Sequence, residues 1–247
     1  MFADVHNHMI YGVDDGAKDE NASLKLLEIA QNSGTEIICF TPHVYPEYFS
    51  DNAEGILRHY QALKELAAER FPGLRLFLGS EIHYTPSTLS WLRDKKAYTM
   101  NGTNNVLLEF GNNDGAGAII KAVSQMLNSG YRPIIAHPER YVKFCTEYRE
   151  IDRMKYDGVL LQCDSGAFTG DFGWKQKHDS RALLKRGLVD LIASDAHSAE
   201  GRNSDLSRCA AFVSDHFGER YCRSLFYKVP VDLLGLKDRR ESGSHEQ

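Results

Sequence analysis

The stretch "ADVHNHMIYGVDDG", residues 3–16, sets an aspartate and two histidines in alternation and follows them with a paired aspartate and a glycine. On a β-strand, residues i and i+2 share a face. His6 and His8 therefore aim two imidazoles at one point, an arrangement that a metal ion requires and a packed core does not. Taken alone, H-x-H reads equally well as a polar strand end. The rest of the chain has to separate the two readings.

Short β-rich runs recur at residues 2–6, 36–41, 74–79, 105–110, 132–137, 158–163 and 189–194. Segments with helical spacing lie between them, at 20–34, 56–73, 118–130, 180–188 and 204–218. In the first of these Leu24, Leu27 and Ile29 form the apolar face, Asn21 is the expected cap and Gly34 the stop. Strands alternating with helices predict βα units and a parallel sheet. Seven units without residues for a second domain predict one α/β domain, a closed or nearly closed seven-stranded barrel. A doubly wound open sheet is the second reading. The domain is expected to span residues 1–236, and the polar end 237–247 is expected to be a disordered tail.

The 247 residues are 42% hydrophobic and 26% charged, with a net charge of −5 that argues against a broad nucleic-acid footprint. The five cysteines, at 39, 145, 163, 209 and 222, form no C-x-x-C pair and fit reduced thiols, with Cys39 and Cys163 in the core. The N-terminus has no basic segment followed by an apolar one, and no apolar run is long enough to span a membrane. A cytoplasmic protein that is not membrane-inserted is expected.

Placed on this scaffold, the ionisable residues collect at strand ends. His6 and His8 follow the first strand, His43 the second, and Glu81 and His83 the third. Glu109 ends the fourth, His137 and Arg140 follow the fifth, Asp164 the sixth, and Asp195, His197 and Arg202 the seventh. Parallel α/β folds carry their sites at the C-terminal ends of the strands. Imidazole with carboxylate suits Zn²⁺, Mn²⁺ or Fe²⁺, and the ligands exceed what one ion needs. Paired ions are a recurring device for hydrolysing phosphoesters. His83 is a weaker candidate ligand. Asp4 is expected to orient His6 or His8, and Asp164 to cap the following turn or to support the site from behind. His59, His178, His216 and His245 are read as surface or packing residues.

As a set, "DVHNH", "GVDDGA", "TPHVYP", "GSEIH", "LLEF", "AHPERY" and "SDAHSAEGR" resemble the PHP (polymerase and histidinol phosphatase) superfamily. More narrowly they resemble its bacterial tyrosine-phosphatase branch, linked to capsular and exopolysaccharide synthesis. The resemblance runs from Asp4 to about Leu236. It implies a distorted seven-stranded barrel with three divalent ions, manganese foremost and iron or zinc as alternatives. Carried over, His6, His8, Glu81 and Asp195 would hold the first ion. Glu81 would bridge to a second, held also by Glu109 and His137. His43, His197 and an aspartate of "DDG" would hold the third, Asp15 in preference to Asp14.

The resulting expectation is a metal-dependent phosphatase that hydrolyses phosphotyrosine in proteins by a metal-activated hydroxide. Arg140 and Arg202 would grip the phosphoryl oxygens, and His43, His197 and Asp15 would assist the leaving group. The aromatic residues Tyr45, Tyr48 and Phe49 would lean on the aryl ring. No cysteine is followed by an arginine six residues on, so a cysteine nucleophile of the C-x₅-R type is disfavoured. The resemblance adds a partner, the autophosphorylated tail of a membrane-associated tyrosine kinase, and leaves the oligomeric state open. The rival activities are a small-molecule phosphatase of the histidinol-phosphatase kind, then a phosphodiesterase or nuclease. A rival of another class is a non-catalytic module that binds a phosphorylated partner.

Overall fold

A computed structural model describes residues 1–45, 53–141 and 144–237. In chain order its strands are β1 (Phe2–Asp4), β2 (Thr35–Phe40), β3 (His43–Val44), β4 (Arg75–Leu78), β5 (Glu81–His83), β6 (Asn105–Glu109), β7 (Arg132–Ala136), β8 (Leu160–Asp164) and β9 (Leu191–Ala193). All pairings between them are parallel, in one sheet ordered β1-β2-β4 and another ordered β3-β5-β6-β7-β8-β9. The count is nine among the described residues, where the sequence pattern predicts seven. Two expected strands break and resume: Thr41-Pro42 separates β2 from β3, and Gly79-Ser80 separates β4 from β5. Proline has no N–H to give a ladder, and the break lets the chain pass from the first sheet to the second.

The two sheets also meet through the residues beyond β1 and β9. Asn7 and Ala196 form an isolated parallel bridge, and His8 N–H donates to Ala196 O at 2.8 Å. Asp195 N–H donates to His6 O at 2.8 Å. Within each sheet the strand order follows the chain without the reversal that marks a doubly wound sheet.

The helices are α1 (Glu20–Asn32), α2 (Ala53–Arg70), α3 (Thr88–Arg93), α4 (Ala116–Asn128), α5 (Tyr148–Tyr156), α6 (Ser165–Thr169), α7 (Trp174–Lys185), α8 (Ser207–Phe217), α9 (Glu219–Arg223) and α10 (Val229–Leu233). Asp19, not Asn21, caps α1, accepting from Ala22 N–H, because the helix starts two residues earlier than a cap at Asn21 implies. Its buried face is Leu24, Leu26, Leu27 and Ala30, with Ile29 only half-buried.

One apolar cluster gathers Ala3, Ile37, Leu107, Ile134, Leu160 and Leu191 from six strands, and α10 packs beneath them through Val231 and Leu233. Each fully buried Leu or Ile here stabilises by roughly 1.5–3 kcal/mol. Side-chain alternation then decides what stands above this floor. Leu160, Gln162 and Asp164 share a face of β8, as Leu107 and Glu109 do on β6. The apolar end of each strand is buried in the cluster, and its polar end rises into the site.

Candidate metal centre

Four buried side-chain atoms converge without a hydrogen bond among the described residues: His6 Nε2, His8 Nε2, Glu81 Oε2 and Asp195 Oδ1. His6 Nε2 stands 3.1 Å from Glu81 Oε2 and 3.5 Å from Asp195 Oδ1; the corresponding distances from His8 Nε2 are 3.1 and 3.3 Å. Leaving such atoms unpaired costs about 1–3 kcal/mol each or more. A tetrahedral ion with ligand bonds of ~2.1 Å would set its donors about 3.4 Å apart. The spacing fits a cation, and the N₂O₂ donor set suits zinc, manganese or iron.

The ring orientations have identifiable causes. His6 Nδ1–H donates to Gln162 Oε1 at 2.7 Å, and His8 Nδ1–H to Asp14 Oδ2 at 2.7 Å. Each bond turns the Nε2 lone pair of its ring inward. Asp14 Oδ2 also accepts from His43 N–H at 3.0 Å, and Asp14 Oδ1 from Gly16 N–H at 3.0 Å. Gly16 has no substitute here, because a Cβ would collide with the His8 carbonyl oxygen. Asp4 does not orient either ring: its carboxylate accepts from the Ser194 backbone N–H at 3.0 Å and hydroxyl at 2.6 Å. Asp164 sits at the start of α6 but makes no capping bond; its Oδ2 accepts from Arg140 at 2.6 Å.

Two further clusters adjoin the first. His8, Asp15, His43 and His197 bring one donor atom each within 4.8 Å of one another, as do His43, Glu81 and Glu109. Asp15 Oδ1 lies 3.3 Å from His197 Nε2 and 3.6 Å from His43 Nε2. The other nitrogen of His43, Nδ1, faces Glu81 Oε2 at 3.2 Å and Glu109 Oε2 at 4.0 Å. His137 belongs to none of the three clusters. Its Nε2 pairs with Glu81 Oε1 at 2.7 Å and stands 3.8 Å from Glu109 Oε1. His83 contacts Glu109 Oε2 through Nδ1 at 3.3 Å and stacks flat on Tyr45, ring centroids 4.0 Å apart. Of the remaining expected residues, Tyr48 and Phe49 lie outside the described residues, as do His245 and the tail from 238. His59 bonds the Tyr11 carbonyl, His178 bonds Asp179 and His216 the Phe212 carbonyl, all away from the centre.

The electrostatics favour positive charge at the centre. Burial opposes ionisation of the Asp195 carboxyl, but Arg140, His6, His8 and Arg202 hold it well below the usual carboxylate range. Glu81 is held well below that range in the same way, by His6, His43 and His137 against its own burial. Burial likewise disfavours a charged His6, yet the carboxylates of Glu81 and Asp195 push it up to about 9. Asp195 and His137 both have left-handed backbone, with φ +52° and +32°. Such conformations cost about 1–3 kcal/mol and persist where the surroundings enforce them.

Beside the cluster, Arg140 bonds Asp164 and Asp195, and Arg202 bonds Asp195. Arg202 Nε–H is buried and makes no hydrogen bond to any described residue. Both guanidinium groups lie over the ring of Phe172, 5.7 Å from its centroid for Arg140 and 5.6 Å for Arg202. A cavity of about 550 Å³ opens next to Arg202, between Phe172, Thr169 and Arg208. The sequence reading passes over Gln162, Phe172 and the orienting role of Asp14. Only Gln162 left a signal, a lone amide in the apolar run "VLLQC" two residues before Asp164 and so on its face.

The chain is similar over most of its length to proteins already characterised. It is 29% identical over 236 residues to the tyrosine-protein phosphatase CpsB of Streptococcus agalactiae serotype III (strain NEM316), covering 94% of this chain and 97% of that one. It is 29% identical over 220 residues to the tyrosine-protein phosphatase YwqE of Bacillus subtilis (strain 168), covering 87% and 85%. Among solved structures it superposes with a TM-score of 0.87, at 24% identity and over 95% of each chain, on one from work on YwqE of Bacillus subtilis and CpsB of Streptococcus pneumoniae, metal-dependent tyrosine phosphatases. The family model for capsular polysaccharide synthesis, CpsB/CapC, matches residues 2–235, and the chain belongs to that family.

Proposed function

We propose that this protein is a metal-dependent protein-tyrosine phosphatase. The observation that carries the reading is the convergence of four buried, unpaired donor atoms beside two arginines. The activity named for its relatives supports it. In this reading His6, His8, Glu81 and Asp195 hold one divalent ion. Glu81, Glu109 and His137 hold a second, and Asp15, His43 and His197 a third. Manganese is the foremost candidate, and the all-nitrogen-and-oxygen donor set is compatible with it. When bound, divalent ions supply Lewis acidity to phosphoryl oxygens and bring the pKa of water toward neutrality.

The chain's own residues do the rest. Arg202 Nε–H, buried without a partner, is a donor available to a phosphoryl oxygen. Arg140, anchored on Asp164 and Asp195, offers its remaining N–H groups beside it. Anchoring by carboxylates keeps both forks in place before substrate arrives, which lowers the ordering cost of binding. In this reading His43 and His197 assist the departing phenolate, and the Asp15 carboxylate, 3.6 and 3.3 Å from their Nε2 atoms, supports both rings. A phenol of pKa about 10 asks little of a general acid. Phosphotyrosine also projects its phosphate farther from the backbone than phosphoserine, which suits a centre in which His6, His8, Glu81 and Asp195 are almost fully buried.

The natural substrate is the phosphorylated tail of a membrane-associated tyrosine kinase, an assignment supported by the family's link to capsular polysaccharide synthesis. Residues 1–236 act as one catalytic unit, and the nine strands serve as seven barrel staves, β2 with β3 and β4 with β5 each counting once. Among the described residues no helix is long and apolar enough to cross a membrane, and the five free, buried thiols favour a cytoplasmic setting. The test is kcat/KM with Mn²⁺ for a phosphotyrosyl peptide, histidinol phosphate and a single-stranded oligonucleotide. The peptide is expected to win. A clear win by either competitor would replace the substrate assignment, and no hydrolysis of any would favour a phosphoprotein-binding module.

A further inference from the structure

We infer that Gln162 is a positioning residue that ties the metal-binding end of the site to its phosphate-binding end. Gln162 is fully buried on β8. Its Oε1 accepts from His6 Nδ1–H at 2.7 Å and from His137 N–H at 3.3 Å. Its Nε2 donates to Asp164 Oδ1 at 3.0 Å, and Asp164 Oδ2 in turn accepts from Arg140 at 2.6 Å. One amide therefore joins His6 to Arg140 through a continuous chain of hydrogen bonds.

The orientation of the amide is dictated by its partners. Turned over, it would set its NH₂ against the His137 backbone N–H, donor against donor. It would also set its carbonyl oxygen against the Asp164 carboxylate, acceptor against acceptor. With the oxygen toward His6, the ring must carry its proton on Nδ1, because an amide oxygen can only accept. In the neutral ring that binds a cation, this leaves His6 Nε2 as the lone pair, aimed at Glu81 Oε2 and Asp195 Oδ1. At the other end the NH₂ group occupies Asp164 Oδ1 and so fixes which carboxylate oxygen faces Arg140. A hydrophobic residue of equal size would fill the space on β8 and perform neither task. Partners of this kind typically alter metal affinity by about 10–100-fold when removed.

The inference rests on the phosphatase reading only at its Arg140 end, so two measurements on the full-length protein separate the ends. Mn²⁺ binding is titrated calorimetrically on chelator-stripped protein, and inorganic phosphate is titrated as a competitive inhibitor of peptide hydrolysis. Gln162→Met removes all three hydrogen bonds at similar volume and is expected to weaken Mn²⁺ binding at least about tenfold while also weakening phosphate inhibition. Gln162→Glu, nearly isosteric, keeps an acceptor for His6 but turns a donor into a second carboxylate against Asp164. It is expected to hold Mn²⁺ close to wild-type affinity and to weaken phosphate inhibition, a split that general loss of packing would not produce. Melting temperature and far-UV circular dichroism confirm that each variant is folded. If Gln162→Met unfolds, the Gln162→Glu split still decides. Wild-type Mn²⁺ and phosphate constants in a folded Gln162→Met, or no split in Gln162→Glu, would overturn the inference. Should wild-type protein hydrolyse no phosphotyrosyl peptide, the phosphatase reading fails separately, and the Mn²⁺ arm alone then judges Gln162.

Discussion

Asp195 and Arg202 are bound to each other through the Asp195 Oδ2 oxygen, while Asp195 Oδ1 faces His8 Nε2 at 3.3 Å. One carboxylate is thus divided between the cation cluster and the arginine pair, since Arg140 also donates to Oδ2. Asp195→Ala should therefore lose both bound metal and turnover, the latter by about 10³-fold or more if both contacts act in the transition state. Elemental analysis of the purified variant beside its kcat checks this. Full metal occupancy would remove Asp195 from the ligand set.

Arg202 is expected to behave differently. Its guanidinium bonds Asp195 Oδ2 and not the Oδ1 oxygen of the cation cluster, and its Nε–H has no partner among the described residues. Arg202→Ala should keep the metals and lose about 10²-fold or more in kcat/KM, a loss typical of a missing donor to a developing anion. Arg202→Lys should recover little, because a point charge cannot replace a fork that also lies on Phe172. Steady-state kinetics with metal analysis on the same samples distinguishes these outcomes. Wild-type rates in the alanine variant would refute the role.

Phe172 gives a prediction at one remove from the chemistry. Its ring lies under both guanidiniums, and its edge is so close to Gly166 that a Cβ there would stand 2.8 Å from Cζ. Gly166→Ala should push the ring and so mimic Phe172→Leu, each raising KM for the phosphopeptide severalfold with metal content unchanged. Kinetic constants for the two variants test whether they agree. A normal KM in both would leave the ring as packing alone.

The thiols give the contrast. All five cysteines are free and buried, and burial pushes the Cys39, Cys145, Cys163 and Cys209 thiols well up from their ordinary range. A raised thiol pKa means little thiolate near neutral pH, and thiolate is the reactive form. Iodoacetamide at pH 8 should neither label the folded protein quickly nor inhibit it, and conservative replacement of each cysteine should lower melting temperature more than turnover. Rapid, inhibitory labelling of one cysteine would point to a thiol mechanism instead.

Much of this was legible in the residues, for a physical reason. The side-chain period of a strand brings His6 to His8, and the parallel βα repeat brings Glu81 and Asp195 to the same end of the sheet. The strand count was not legible, because Thr41-Pro42 and Gly79-Ser80 interrupt ladders without interrupting the apolar pattern. Nor was the grip on the rings. Asp4 is nearer to His6 in sequence than Gln162 is, yet Ser194 takes its carboxylate and an amide from β8 takes the histidine. Partners 156 residues apart are set by register between strands, which a single chain's pattern does not display.

Divalent cations in this cluster are proposed to drive phosphotyrosine hydrolysis. The decisive measurement is kcat/KM for a phosphotyrosyl peptide on one protein sample, before chelation, after chelation with dialysis, and after Mn²⁺ is returned. Activity should be lost on stripping and recovered with Mn²⁺, with no recovery in Asp195→Ala. Activity that survives complete removal of metal, verified by elemental analysis of the same sample, would contradict it.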